Sequence, residues 1–370
     1  MRPLLCLLVS IVLLQACQEY YTDPDIARGK ELIVIEGLIT NEPGPYKIKI
    51  TKTRPYNQTG EESVIPEPVS NVIVTITDNT GATEQLAENE SGAYYTAHDG
   101  IRGEPGKTYV LYLVTPDGFT YQSDSCKMPE PASLDSVYAE PGIIKTLDKS
   151  EAGPYIETNH PGINLYMDVH PVQGTEYYYK AETYIVKQAW HYEWRQGRPP
   201  EPPVDRPPLP TRVYCWELNP DHNDRNLMSN NTSDSRPIKK QSIGFITSDV
   251  YSETNEIRDP TYLLGAIATT SLYSVSKDLY RIFTQLNTQT NPSNSIFDPI
   301  PTRIESNISC VNEPTRTVLG YFNAAAVTSK SQYFRWSDTA VSEKNLEILP
   351  HLPKVGSCVD DVPPEFWINP

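Results

Sequence analysis

Residues 46–51, with the sequence YKIKIT, decide the class of the fold, because apolar and polar side chains alternate along them with a period of two. A strand with this alternation buries one face and turns the other towards water. The segment VIVTIT at 72–77 is a second strand signal, and the turn sequence DNTG at 78–81 closes it. The folded part of the chain is therefore predicted to begin as antiparallel β structure.

Four further strand signals flank these segments and bring the β-rich stretch to about a hundred residues, the size of a β-sandwich. They lie at residues 32–35, 93–97, 108–115 and 119–121. Turn residues separate them, and none of them carries a helical period. Because the proline-rich sequence MPEP at 128–131 indicates a boundary, we expect residues 31–130 to form an N-terminal immunoglobulin-like or transthyretin-like β-sandwich.

The rest of the chain, residues 131–370, predicts a larger domain that is also β-rich. Its strand signals lie at residues 136–138, 163–169, 176–194, 212–218, 261–273, 317–328 and 332–336, and residues 219–236 are predicted as a loop. One amphipathic helix is expected after Ser276, a residue type that suits the N-cap position. Its apolar face consists of residues at helical spacing, namely Leu279, Ile282, Phe283 and Leu286. The whole chain is therefore predicted to be mainly β.

A proline-dense segment interrupts the second domain at residues 198–210, which hold seven of the chain's 34 prolines. Proline has no backbone N–H and cannot pair in the interior of a sheet, so this segment is predicted to be an extended polyproline II arm. Strand signals precede and follow it. The simplest topology is a hairpin that carries the arm at its tip.

The first sixteen residues have the pattern of a signal peptide, with Arg2 followed by an apolar run from Leu4 to Leu14. That run is shorter than the roughly 20 residues that cross a membrane as a helix. The sequence LQAC at 14–17 resembles a lipobox, at which bacteria attach diacylglycerol to the cysteine and cleave before it. We expect a lipid on Cys17, a polar tether over residues 17–30, and an outer-membrane lipoprotein of the cell envelope, with ordinary secretion as the alternative. Two or more acyl chains anchor a protein stably.

The composition bears on possible partners. A net charge of −16 argues against nucleic acid and anionic lipid surfaces as partners, since both select for lysine and arginine.

Tyrosine outnumbers phenylalanine by 24 to 7, which suits half-exposed strands and also binding surfaces. Along residues 176–194 the aromatic positions change parity, so a single strand face cannot bury all of them. The candidate contact surface consists of Tyr177, Tyr179, Tyr184, Trp190 and Trp194. The alternatives are an ordinary strand surface and a seam between domains.

Four cysteines remain once the signal peptide and the lipidated Cys17 are set aside: Cys126, Cys215, Cys310 and Cys358. An exported compartment permits disulfides, and four cysteines allow three pairings. We expect at least one bridge, with Cys215 as its foremost candidate because it lies beside Trp216 on a predicted strand. Spacing alone does not identify the pairing.

The chain carries no recognisable motif of a hydrolase, a zinc enzyme, a nucleotide-binding loop or a dinucleotide-binding turn. Its six histidines are not paired at metal-ligand spacing, and the four cysteines are widely separated. We therefore expect neither a catalytic activity nor a metal or cofactor.

Several landmarks together resemble a known family. They are IVIEGLIT at 33–40 with GPY at 44–46, VIVTIT at 72–77 with DNTG at 78–81, GKTY at 106–109, YQSD at 121–124, FDPIP at 297–301, NI at 307–308 and LGYF at 319–322. This set is similar to the lipoproteins of domain-of-unknown-function family 4249, found in Gram-negative bacteria beside outer-membrane TonB-dependent receptors. The resemblance implies an envelope setting and an accessory role to a transporter. It supplies no catalytic residue.

Three classes of function follow from these observations. The favoured class is a membrane-anchored binding or accessory protein associated with a TonB-dependent receptor. The second is a structural or adhesive envelope protein, in which the sandwich acts as a spacer. The third is a hydrolase whose site is assembled from scattered carboxylates. A cleft lined by tyrosine or tryptophan would favour the first, and two facing carboxylates in a pocket would favour the third.

Overall fold

The computed structural model describes residues 31–54, 66–149, 153, 155–174, 176–193, 211–219, 226–230, 236–247, 262–290 and 304–335. Several predicted features lie outside these residues: the signal peptide, Cys17, the tether, Trp194, the proline arm and Cys358. The side chains of Trp190 and Cys215 also lie outside the described part, although the backbone of their strands is described. In the described part of the chain there are nineteen strands and one helix, so the predicted mainly β fold is confirmed.

The first ten strands come from the region that was predicted to be a sandwich. They are β1 (Ile33–Thr40), β2 (Lys47–Lys52), β3 (Glu67–Pro68), β4 (Ile73–Asp78), β5 (Thr83–Gln85), β6 (Ala87–Glu90), β7 (Ala93–Tyr95), β8 (Thr108–Val114), β9 (Thr120–Ser123) and β10 (Cys126–Lys127). Alternation gives the expected result in β2, where Ile48 and Ile50 are fully buried while Lys47 and Lys49 are exposed.

The remaining elements are longer. They are β11 (Ser133–Lys149), β12 (Tyr155–His170), β13 (Tyr177–Glu193), β14 (Thr211–Asn219), β15 (Asn226–Asn230), β16 (Ile238–Thr247), β17 (Tyr262–Ser274), helix α1 (Lys277–Thr290), β18 (Ile308–Cys310) and β19 (Val318–Arg335). β13 and β14 pair antiparallel, which confirms the hairpin predicted on either side of the proline arm. β15 lies within the region that was predicted to be a loop, and it pairs with β13.

The strands form three sheets. The largest has ten strands in the order β14-β13-β17-β19-β1-β2-β7-β6, with β15 added to β13 and β3 added to β2. A six-stranded sheet has the order β18-β9-β8-β4-β5, with β10 paired to β8, and a three-stranded sheet has the order β11-β12-β16. One core lies between the six-stranded sheet and the β1-β2-β7 end of the large sheet. A second core lies between the three-stranded sheet and the β13-β17 end.

β19 connects the two halves of the molecule. Its first part pairs parallel with β1, from Val318 opposite Ile33, and its second part pairs antiparallel with β17 as far as Arg335. The sequence predicted two strands here with a break near residue 330, and that prediction is wrong. The strand continues because its backbone pairs with β17 without a break from Ala326 to Arg335. Hydroxyl pairs also bridge the two strands on the exposed face: Ser271 with Ser329 at 2.9 Å and Thr269 with Ser331 at 2.8 Å.

The first core extends beyond the predicted range 31–130. β18 pairs with β9, and the buried side chains of Ile308, Val318 and Phe322 join the core of the sandwich. The N-terminal sandwich is therefore completed by residues near the far end of the chain.

Helix α1 begins where its cap was predicted, since the Leu279 amide donates to Ser276 Oγ at 3.2 Å. Leu279 and Ile282 are buried against the large sheet, on the face opposite the second core. Leu286, at the end of the apolar stripe, stays 38 % exposed. Within the described residues no helix has the length and apolar character needed to span a membrane.

Candidate functional site

The tyrosines at the start of β13 alternate between the two faces of the large sheet. Tyr179 belongs to the second core and Tyr177 packs against it, whereas Tyr178 belongs to the cluster under helix α1. By the same alternation Tyr184 lies on the helix side, and it is 39 % exposed. These rings therefore occupy both faces. Tyr179 is 2 % exposed, so its assignment to an exposed contact surface is corrected: period two places it in the core.

A cleft of about 440 Å³ opens at the end of the large sheet, where β13 begins and β17 ends. It is lined by Gly106, Lys127–Glu130, Val172, Glu176–Tyr179 and Ser274–Lys277. The lining thus combines the sandwich, the second β unit and the first turn of helix α1. A volume in this range suits a small ligand.

Tyr177 and Tyr179 form the aromatic wall of the cleft. Their rings stack in parallel, with centroids 4.7 Å apart and planes inclined by 9°. Aromatic pairs in this range attract one another beyond the burial of their area, so the stacking helps to position both rings. The two rings therefore form one stacked aromatic surface in the lining of the cleft.

The hydroxyl of Tyr179 is a buried polar group without a hydrogen-bond partner in the described part of the chain. Burial raises the pKa of Tyr179 to about 12, and an interaction with the Val172 backbone lowers it. At neutral pH the group is therefore a protonated donor. An unpaired buried donor lowers the free energy of unfolding by about 1–3 kcal/mol, so such a group calls for a structural or functional explanation.

Two of the charges at the cleft pair with each other. Tyr178 donates its hydroxyl to Glu176 Oε2 at 2.9 Å, and Lys277 Nζ lies 4.0 Å from the same oxygen. Burial and then the Glu176 carboxylate raise the pKa of Tyr178. Glu176 and Lys277 therefore neutralise one another at the helix side of the cleft.

The other two charges, Lys127 and Glu130, are exposed and have no ion pair or side-chain hydrogen bond in the described part of the chain. Lys127 ends β10, Glu130 lies three residues further along the chain, and both belong to the lining of the cleft. Among the described residues of the lining, Lys127 and Glu130 are therefore the charged side chains without a partner. The sequence identified residues 128–131 as a boundary, and nothing in their local pattern indicated a binding role.

The cleft also adjoins the start of helix α1. The first amides of a helix have no partner within the helix, and the helix dipole makes this end slightly positive. Ser276 Oγ caps one of these amides, and the Asn323 side chain donates to the same oxygen at 3.1 Å. The site can thus supply hydrogen bonds, charges of both signs and ring faces. Proteins hold small ligands with interactions of these kinds.

The two cysteines whose side chains are described are buried free thiols. Cys126 Sγ donates to the Phe322 carbonyl at 3.2 Å, and Cys310 Sγ lies 3.3 Å from Asn312 Oδ1. Burial raises the pKa of Cys126 to about 12. The predicted bridge therefore does not involve Cys126 or Cys310 in this structure, because each thiol is enclosed by its own hydrogen-bond partners. The side chains of Cys215 and Cys358 lie outside the described residues.

No group of three or more histidine, cysteine, aspartate or glutamate side chains comes together to hold a metal within the described ranges. The contact surface predicted at Trp190 and Trp194 stays a prediction. The structure gives only the backbone of Trp190, which pairs with Tyr214.

Comparison with known proteins gives one match. The family described as Domain of unknown function (DUF4249) matches residues 19–331, which is most of the chain. Neither a curated protein nor a solved structure matches. The family predicted from the landmarks in the sequence is confirmed, and the chain belongs to the DUF4249 family.

Proposed function

We propose that this chain is a lipid-anchored envelope protein that binds a small ligand as an accessory component of an outer-membrane TonB-dependent receptor, and that it is not an enzyme. The observation that carries the proposal is the 440 Å³ cleft at the end of the large sheet, lined by three consecutive tyrosines of the predicted contact segment. The lipobox-like sequence at 14–17 supports the anchor.

The chemistry of the cleft favours binding over catalysis. Among the described residues, its polar lining consists of tyrosine and serine hydroxyls, two lysines and two glutamates, without histidine or cysteine. One of the glutamates, Glu176, is held by Tyr178 and Lys277. A glycosidase needs two carboxylates that face each other across the substrate. Here one carboxylate is already paired, which weighs against the hydrolase alternative.

The anchor is tested by Cys17→Ser. The variant should move from the membrane pellet to the soluble envelope fraction and should lose incorporation of an alkyne fatty acid. A wild-type protein that takes up no label would remove the lipid anchor from the proposal.

The binding role is tested by blocking the cleft. Val172→Trp places an indole among the residues of the lining, whereas Val114→Trp places the same ring on an exposed face of the sandwich and serves as the matched control. Both tagged variants and the wild type are isolated in mild detergent and analysed by native mass spectrometry for bound small molecules and for the receptor. Loss of a bound molecule in Val172→Trp alone supports the proposal. Identical spectra for all three proteins contradict it.

A further inference from the structure

The six-stranded sheet packs one face on the first core and turns the other face outwards. Alternation places on the outward face the odd-numbered residues of β4 and β5, the even-numbered residues of β8 and β9, and Ser309 of β18. These side chains are threonine, valine, isoleucine, tyrosine, glutamine and serine, and none of them is charged. Lys127 of β10, opposite Thr108, lies at the corner. We call the outward surface of these five strands the neutral face.

Other outward strand surfaces of the molecule are charged. On the opposite side of the same sandwich, Glu36 of β1 lies opposite Lys49 of β2, and both are exposed. The outer side of the three-stranded sheet carries Asp168, whose carboxylate lies 3.1 Å from Lys239 Nζ. In a chain with 47 acidic and 31 basic residues, the neutral face therefore differs from its surroundings.

The neutral face exposes apolar side chains in neighbouring positions. Ile73 is 53 % exposed and lies opposite Val114, which is 40 % exposed, and Tyr112 in the next row is 39 % exposed. Val311, just after β18, is 52 % exposed, and its amide donates to the Thr120 carbonyl at the end of the same row. Exposed apolar side chains that are gathered in one patch, rather than scattered, mark an interaction surface.

Covering this face would bury few unsatisfied polar groups. The hydroxyls of Thr77 and Thr83 already pair with each other at 3.0 Å. Lys107, just before β8, is held by Glu104 at 2.7 Å. The removal of an unpaired charge from water is the most expensive part of covering a surface. The neutral face has no such charge to bury.

The absence of charge also indicates what covers the face. A strongly acidic or basic partner finds no opposite charge on it. Two copies of this chain carry the same net charge of −16, and neutral faces let them meet with the least repulsion between like charges. Two identical twisted sheets can also pack face to face at about 30°. We propose that two copies of the chain associate through their neutral faces, sheet on sheet, across a twofold axis.

The size of the neutral face predicts that this dimer is weak. Five strands at about 4.8 Å spacing span about 19 Å, and β8 is about 20 Å long. Each copy therefore offers at most about 400 Å², and two copies bury about 800 Å², less than the roughly 1,200–2,000 Å² of stable interfaces. We expect a dissociation constant between about 10 μM and 1 mM. No residue of the neutral face lines the cleft, so the dimer does not depend on the proposed binding function.

Photocrosslinking of the full chain in cells identifies what covers the face. The photoreactive residue p-benzoylphenylalanine replaces Tyr112 in the neutral face or, as the matched control, the equally exposed Tyr184 on the large sheet. Irradiation should give a product of twice the mass of the chain from position 112 and not from position 184. A product with a different protein at position 112, no product there, or equal doubled products from both positions overturns the proposal.

Sedimentation equilibrium measures the strength of the dimer. The sample is the chain from residue 17 with Cys17→Ser, so that neither lipid nor detergent drives association. Ile73→Glu adds a carboxylate to the neutral face, whereas Ile143→Glu adds the same charge on β11, where Ile143 is 66 % exposed. Both positions are exposed, so both variants should fold like the parent chain. Ile73→Glu should raise the dissociation constant at least tenfold, and Ile143→Glu should change it less than twofold.

Salt gives an independent readout. An increase in sodium chloride from 50 to 500 mM should tighten the dimer, because salt screens the repulsion between two acidic chains while no ion pair crosses the neutral faces. A dimer held by opposite charges would weaken instead. A parent chain that stays monomeric at 1 mM, equal effects of the two glutamates, or a dimer that salt weakens would each overturn the proposal.

Discussion

The two hydrophobic cores bury tyrosine in different ways. In the first core the Tyr94 hydroxyl accepts from the Val72 amide at 3.0 Å and donates to the Val69 carbonyl at 2.8 Å. Tyr109 likewise accepts from the Glu104 amide at 2.7 Å. In the second core Tyr179 is buried as deeply, and its hydroxyl has no partner in the described part of the chain.

This difference gives the tyrosine hydroxyls of the two cores opposite expected effects on stability. A buried hydroxyl with two partners fixes a turn or a strand end and contributes to stability. A buried hydroxyl without a partner lowers stability. Under the proposed function, the sandwich supports the cleft at the start of β13.

The largest expected effect tests how far the first core depends on the end of the chain. Phe322 on β19 is fully buried in that core, so Phe322→Ala should lower the free energy of unfolding by about 3–5 kcal/mol. Val311→Ala is the control, because Val311 is 52 % exposed and should cost less than about 0.5 kcal/mol. Denaturant titration measures both. Equal stability of the two variants would show that residues 31–130 hold the sandwich without β19.

The second prediction concerns the partnered tyrosine. Tyr94→Phe leaves the Val72 amide and the Val69 carbonyl without their partner and should cost about 1–3 kcal/mol. The change removes one oxygen and keeps the ring, so packing is preserved. Thermal and denaturant unfolding should both register the loss. An unchanged stability would mean that water replaces the hydroxyl, and the contrast between the two cores would disappear.

The third prediction uses pH to probe the first core. The pKa of Cys126 rises from 9.0 to about 12 on folding, so the folded state keeps the thiol proton while the unfolded state releases it. The contribution is fully present below pH 9 and is lost as the pH rises towards 12. Between pH 8 and pH 10 the free energy of unfolding should fall by about 1.4 kcal/mol more in the wild type than in Cys126→Ala.

The measurement for this prediction is the difference in pH dependence between the two proteins, which cancels the cost of the substitution itself. Alkylation supplies a second readout. Cys126 and Cys310 should resist iodoacetamide in the folded protein and should both react in denaturant without any reductant. Identical pH dependence, or a cysteine that reacts only after reduction, would contradict the buried free thiols.

The smallest expected effect is the counterpart of Tyr94→Phe. Tyr179→Phe removes a hydroxyl that has no partner, so the free energy of unfolding of the ligand-free protein should change by less than about 0.5 kcal/mol or should rise. The same substitution thus costs stability in one core and not in the other. A loss as large as that of Tyr94→Phe would show that Tyr179 is a structural residue.

The fold could be predicted from the sequence wherever the signal was local. The alternation of Ile48 and Ile50 with lysines fixed the faces of β2, and Ser276 with the stripe at Leu279 and Ile282 located helix α1. These features depend on a strand period of two, a helix period of 3.6 and the chemistry of a cap. All three act between residues that are close in sequence.

The site was predicted only in part. The sequence selected the tyrosine segment of β13 and showed that its rings could not share a face, and the structure places them on both faces. The sequence did not single out Lys127 and Glu130, because their place in the cleft lining depends on what lies across the cleft. No pattern around residue 128 contains that information.

The sequence by itself determined the strand faces, the helix, the family and the expectation of a lipid anchor at Cys17, since each of these is encoded in a short run of residues. The tertiary structure alone decided that β19 pairs with both β1 and β17, that Ile308 and Phe322 complete the sandwich, and that Tyr179 is buried without a partner. The physical reason is that each of these features depends on contacts between distant parts of the chain. Burial and hydrogen bonding across such contacts have no local period, so they emerge only when the sheets pack.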